Sequence, residues 1–280
     1  MGQVKRIFSR IAQVFFTLFI TMVVLVSFYP LIWMVLNSFK TNNEIFQRPL
    51  ALPGRWDFEV FSTSFVRNKF GQALTNSLIV TSSVVCINLA VSALAAFATS
   101  HMKFRGRNLF LAFCIGCQVV SAQVLLVPVY KLLRDIRLHD TFPGLVLAIA
   151  AFSVPLSMYL FNGFFSGFPK DIFESAKIDG CGDLRYFFRI LVPLSTPIIA
   201  SITIFQALFT WNEYIFTLTF LRNMDMWTIQ PVIKNMFQGY AISYGSNFAA
   251  LSIVVVPILV IYMAMQKYFI RGLTAGSVKG

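Results

Sequence analysis

Glu213 is the single acidic residue lodged in a long apolar run of this 280-residue chain. An ionisable group at membrane depth is costly, so it marks a functional position by default. Trp211, Asn212 and Tyr214 flank it; Thr210 lies three residues before it and Gln206 seven before. Helical spacing puts Gln206, Thr210 and Glu213 on one face. Amide, hydroxyl and carboxylate groups can hydrogen-bond a polyhydroxylated ligand such as a sugar. Trp and Tyr add flat apolar area with a polar tip. The same group can instead pin helices together, because polar residues in membranes do both. Asn162, with Asn88 and Gln118 behind it, is a further candidate for the same path.

Other chemistries lack their parts. No Gly-x-x-x-x-Gly-Lys-Ser/Thr stretch occurs, so the chain has no phosphate loop of its own. No His, Cys and carboxylate spacing suits a metal, and no serine-histidine-acid set can be assembled. His101 and His139 read as surface histidines in loops on opposite sides. Cys86, Cys114, Cys117 and Cys181 read as small apolar residues rather than a redox or metal set. The chain is therefore expected to carry no catalytic residue and no cofactor.

The second chemically dense stretch runs from Phe168 to Pro197. It holds Lys170, Asp171, Glu174, Lys177, Asp179, Asp183, Arg185 and Arg189 between two apolar runs. Charges this dense stay out of hydrocarbon, where each costs at least about 2.5 kcal/mol. Local signals predict two short helices. Asp171 can cap the first, with Glu174 three residues on. Gly180 and Gly182 stop it. Asp183 can cap the second, which Pro193 and Pro197 limit. The product is a water-facing knob able to fill a groove on another protein.

The elements that position these residues follow from composition. Hydrophobic residues make up 57% of the chain and charged ones 12%, against about 25% charged in soluble domains. The fold class expected is an all-α integral membrane protein in one domain over 1–280. Its six spans cover about 11–36, 73–99, 109–130, 143–165, 198–221 and 248–269. The net charge of +12 is spread over loops, which suits anionic lipid rather than nucleic acid. With the N-terminus inside, 13 lysines and arginines fall inside and 10 outside. The compact loop Lys103-Phe-Arg105-Gly-Arg107 has three positives and no acid, as cytoplasmic loops do. Both termini and the knob are accordingly placed in the cytoplasm.

Glu174-Ser175-Ala176, Gly180 and Ile190-Leu191-Val192-Pro193 resemble the EAA loop of bacterial ABC-importer permeases. Ser175 stands for the usual second alanine and Val192 for a leucine. Asn76–Thr81, Phe104–Asn108, Pro128–Tyr130, Trp211–Tyr214 and Arg271–Gly276 extend the likeness along nearly the whole chain. The set is most similar to the maltose-type, six-span permeases of the carbohydrate branch. The resemblance implies a type I importer permease whose helix-turn-helix loop at 168–197 is the coupling segment. Glu174, Ser175, Ala176, Asp179, Gly180, Ile190 and Pro193 would then meet an ATPase. It also implies a second homologous permease, two ATPase subunits that use ATP and Mg, and a sugar-binding protein outside. The loop 222–247 would touch that binding protein through Trp227, Tyr240 and Tyr244, although a membrane-surface aromatic belt explains these residues equally well. The tail after Arg271 would touch the ATPases. A permease for another solute, an ion-driven transporter and a membrane scaffold are the alternatives; the ion-driven one lacks paired intramembrane acids.

Overall fold

A computed structural model describes residues 2–67, 69–238 and 242–275, leaving aside the side chains of 2–11, 67, 170, 258, 261, 262 and 264–275. All regular structure among the described residues is helical. Among the described residues three helices are long and apolar enough to cross a membrane, Ala12–Asn37, Phe70–His101 and Phe142–Ser166, and a fourth if the bent pair Asp183–Leu194 and Thr196–Trp211 is taken as one span. Where the sequence reads as one domain, contacts divide the chain into two compact units. One comprises Met1–Phe70 with Ile233–Val256, the other Gly71–Val232 with Pro257–Gly280.

The first unit starts with α1 (Gly2–Asn37), which runs through Pro30 without stopping. Its side chains over most of the apolar stretch are exposed, the pattern of a helix whose surroundings are apolar. A knot of hydrogen bonds holds the segment after it. Lys40 Nζ donates to the carbonyls of Arg48 and Pro49. A capping box between Thr41 and Glu44 opens α2 (Asn42–Gln47), and α3 (Glu59–Arg67) follows. Those hydrogen bonds from Thr41 hold the Glu44 carboxyl below its usual pKa. Phe39 sits among the rings of Trp56, Phe58 and Phe61. The amide of Asn42 bonds Ile242 and Tyr244, tying this segment to the start of the last helix.

The second unit is built along α4 (Phe70–His101), which spans about 48 Å at 1.5 Å per residue. After it come α5 (Arg107–Cys117), α6 (Leu126–Asp135) and α7 (Phe142–Ser166). The later helices are α8 (Lys170–Ile178), α9 (Asp183–Tyr186), α10 (Val192–Leu194), α11 (Thr196–Trp211) and α12 (Ile215–Phe220). The two later unit boundaries fall within the last two helices, α13 (Ile229–Met236) and α14 (Tyr244–Ala275). α7 packs against α5, α11 and α12 and joins two buried clusters. Leu145, Ile149 and Phe216 belong to one; Met158, Phe161 and Phe165 belong to the other. At one end of α4, the Asn76 amide bonds the carbonyls of Asp225 and Trp227. At the same level of the chain, the Asp140 carboxylate accepts from the backbone N–H groups of Arg222 and Asn223. At the other end, His101 meets the charged stretch.

Two expected spans are interrupted. The helix over 109–130 stops at Cys117 and resumes at Leu126. Short backbone turns between Ile115 and Leu126 fill the gap, and the Ser121 hydroxyl donates to the Gln123 side-chain carbonyl. Pro128 cannot donate to a preceding turn, and it falls in the first turn of α6, where no donor is required. The run 198–221 stops at Trp211 and restarts at Ile215. The charged stretch and α11 are likewise not collinear: the axis turns by 77° between Asp183–Leu194 and Thr196–Trp211. Pro193 lies in the last turn of the helical stretch Asp183–Leu194 and Pro197 in the first turn of α11, so the two prolines bracket the break between them.

Gly144 permits the close start of α7. A Cβ there would lie 2.0 Å from the Leu138 carbonyl oxygen, a rigid backbone atom. Gly144→Ala is expected to cost about 1–3 kcal/mol and to lower the thermal midpoint of the detergent-solubilised protein. An unchanged midpoint would show that the 138–144 turn relaxes freely.

Candidate functional site

The charged stretch folds as a knob with a glycine corner. α8 begins after Pro169, which occupies the N-cap position expected for Asp171. Asp171 sits instead in the first turn, where its charge complements the helix dipole. The helix closes in a Schellman motif. The Gly180 N–H bonds the Lys177 carbonyl at 3.0 Å, and the Cys181 N–H bonds the Ala176 carbonyl at 2.9 Å. That motif needs a left-handed residue, and Gly180 has φ +74°. Gly182 caps α9, and Asp183 is its first helical residue rather than its cap. A π-helical stretch follows over Phe187–Leu191, a local form frequent at functional sites.

Packing fixes the knob's inner side. Ala176, Tyr186, Phe187 and Leu191 are buried in the cluster that holds Phe97, Met158 and Phe161. Lys177 lies over the Phe173 ring at 4.7 Å and pairs with Asp183 at 3.5 Å. The exposed side mixes charges with uncovered apolar side chains: Ile178 is 86% exposed, Leu184 64% and Phe188 61%. Ser175, Ala176, Asp179 and Ile190 share a hollow of about 460 Å³ with Asp171, Ile172 and Cys181. Glu174 faces a different cavity, of about 730 Å³, with His101, Lys103, Arg107 and Lys177. Pro193 is exposed and lines neither.

The group around Glu213 is arranged otherwise than its helical spacing suggests. Gln206, Thr210 and Trp211 are buried, and the Gln206 amide donates to Thr210 Oγ1 at 3.0 Å. Trp211 Nε1 is buried without a partner among the described residues. Glu213 lies in the break after α11. Its carboxylate accepts from the backbone N–H groups of Phe216 at 2.7 Å and Thr217 at 3.1 Å. It therefore caps α12, placing negative charge against the open donors of a helix N-terminus. Asn212 is exposed, donates to the Leu208 carbonyl and accepts from Gln230. Tyr214 is half-buried beside it. Asn162 lies apart from this group and donates to Thr99 Oγ1 at 2.8 Å. Asn88 donates to Ser153, and Gln118 caps the end of α5.

In the loop 222–247, Trp227 is half-buried and its indole N–H donates to the Leu221 carbonyl. Tyr244 meets the edge of Phe46. Tyr240 and the tail beyond residue 275 lie outside the described residues. Sequence reasoning placed His101 on the surface. It is half-buried in an aromatic cluster, and its spacing of four from Phe97 was the available signal.

Comparison with known proteins assigns this architecture. The family model for the inner membrane component of binding-protein-dependent transport systems matches residues 89–275. The chain belongs to that family. It is 35% identical over 252 residues to a probable ABC transporter permease, YurM, of Bacillus subtilis, covering 90% of this chain and 84% of that one. It is 31% identical to the diacetylchitobiose uptake permease NgcG of Streptomyces coelicolor, covering 89% and 83%. The arabinooligosaccharide permease AraQ of Halalkalibacterium halodurans matches at 28% over 99% and 100%. A bacterial ABC transporter for the acidic polysaccharide alginate contains a chain of the same fold, with TM-score 0.83 and 23% identity over 93% of this chain and 97% of that one. The fold is that of a type I importer permease. The protein is a membrane-embedded transporter subunit, and in this family the ATPase is a separate subunit. Its work therefore involves other subunits.

If Glu213 serves chiefly as the cap of α12, Glu213→Gln keeps one acceptor and loses the charge. Stability is expected to fall by about 1 kcal/mol, read as a lowered thermal midpoint, with solute affinity of the assembled transporter unchanged. A loss of affinity at unchanged stability would instead put the carboxylate on the solute.

Proposed function

We propose that this subunit belongs to an importer for a sugar or oligosaccharide, and that the knob at 168–197 couples it to an ATPase. The bare apolar tip of Ile178, Leu184 and Phe188 carries the coupling reading. Three large side chains left uncovered on a charged, water-facing segment mark an interaction surface. A knob of fixed shape, cornered at Gly180, suits a cleft on a nucleotide-driven partner. Closure of two ATPase subunits that use ATP and Mg would push the knob and rock the bundle between inward-open and outward-open states. The orientation that fits puts the knob and both termini in the cytoplasm. A second, homologous permease completes the path, and a binding protein delivers solute from outside.

The sugar reading is supported by the relatives named for diacetylchitobiose, arabinooligosaccharides and melibiose, raffinose and stachyose. The residues offered for the solute path are Asn162, Gln206, Thr210, Trp211, Asn212, Glu213 and Tyr214. Asn212 is the exposed member of the set, and the Trp211 indole N–H has no partner among the described residues. Trp227 and Tyr244 remain the described candidates for binding-protein contact.

Space around Gly180 is open, so a side chain there is opposed by backbone conformation and not by neighbours of its own chain. Asparagine tolerates the left-handed region and valine does not. Gly180→Val is therefore expected to reach the membrane at normal levels yet abolish uptake of labelled oligosaccharide, with Gly180→Asn retaining much of it. Leu184→Asp should release the ATPase on co-purification. Normal uptake by Gly180→Val together with normal ATPase retention by Leu184→Asp would refute the coupling reading.

A further inference from the structure

The last turn of α4 is joined to the knob by rings. His101 lies 5.2 Å from Phe97 of its own helix, 5.0 Å from Phe173 of α8 and 5.7 Å from Tyr186 of α9, between ring centroids. Phe173 and Tyr186 meet edge to face at 4.8 Å. Phe97 also stacks on Tyr186 at 6.2 Å and leans on Phe187 at 5.3 Å. Phe97, Tyr186 and Phe187 are at most 2% exposed. The ring contact between α4 and α8 runs through His101, which touches both short helices of the knob at once. Its Nδ1 is 2.7 Å from Ser100 Oγ, which sets the orientation of the ring. Packed aromatic interfaces deform in steps rather than continuously, so they transmit displacement. α4 carries the motion far, because at its opposite end Asn76 and Ser77 bond the backbone of 225–229.

We propose that His101 is a positioning residue of the transport cycle: its imidazole locks α4 to α8 and α9, so that displacement of the knob moves the membrane helix. The contact asked of it is a flat ring; charge plays no part. The proposal rests on the coupling role of the knob given above.

The test uses the full transporter, with its ATPase, partner permease and binding protein, in proteoliposomes. The readout is ATP hydrolysed per solute imported. His101→Ala is expected to raise that ratio by about threefold or more, because hydrolysis no longer moves α4. His101→Phe should restore it to within twofold or so of the parent. His101→Leu, which keeps apolar volume without a ring, serves where the alanine variant accumulates poorly, and should stay uncoupled. A parent-like ratio in both His101→Ala and His101→Leu overturns the proposal, as does a phenylalanine variant as uncoupled as alanine. Gly180→Val, assayed in parallel, separates the two ideas. If it is uncoupled while the His101 variants are normal, the knob couples by another contact. If it too is normal, and Leu184→Asp retains the ATPase, the coupling reading itself falls.

Discussion

A charged segment strung between apolar helices can rest at only one depth, the boundary where its ions stay hydrated and its flanks stay in hydrocarbon. The knob at 168–197 obeys that constraint and adds a second one. Its inner side is pulled toward the helices by burial of Ala176, Tyr186, Phe187 and Leu191, while its outer side remains water-facing and bare at Ile178, Leu184 and Phe188. A segment held on one side and open on the other is free to meet another surface. The Schellman corner at Gly180 keeps it from swinging freely, since two backbone hydrogen bonds fix the turn between α8 and α9.

The breaks in the apolar helices follow the same accounting of polar groups. Backbone donors released inside a membrane must find acceptors within the protein. Where α11 ends, Asn212 takes the Leu208 carbonyl and Glu213 takes the first donors of α12. The one acid within the apolar run thus has structural work, which explains its tolerance at that depth. A site for solute can coexist with that work, because Asn212 and Tyr214 flank the break on its more open side. The interruption between Cys117 and Leu126 has no charged cap; short backbone turns close it instead.

Much of the architecture was legible in the residues. The apolar runs predicted α4, α7 and the apolar part of α1, Ala12–Asn37, within a few residues, because a helix of that length and composition has no competing solution in lipid. The glycine corner was legible for a similar reason: only glycine takes φ +74° without strain. Cap identities were not. Asp171 and Asp183 have the right chemistry, but Pro169 and Gly182 hold the cap positions and the two acids fall in the first turns. Periodicity also carried Gln206, Thr210 and Glu213 onto one face, and the break after Trp211 takes Glu213 off it.

Composition and local spacing by themselves determined a helical membrane protein, a folded charged segment outside the hydrocarbon, and the residue at its corner. These are properties of short windows, where the transfer cost of charge and the allowed φ of each residue act without help from distant parts. Only the tertiary structure decided that His101 leaves the surface for an aromatic cluster, that Glu213 caps a helix, and that two apolar runs are interrupted. The first depends on which distant groups arrive beside the residue; the other two depend on where each apolar helix breaks, after which local partners close the gap. Phe173 and Tyr186 lie more than seventy positions from His101, and no window of the chain brings them together until the helices have packed.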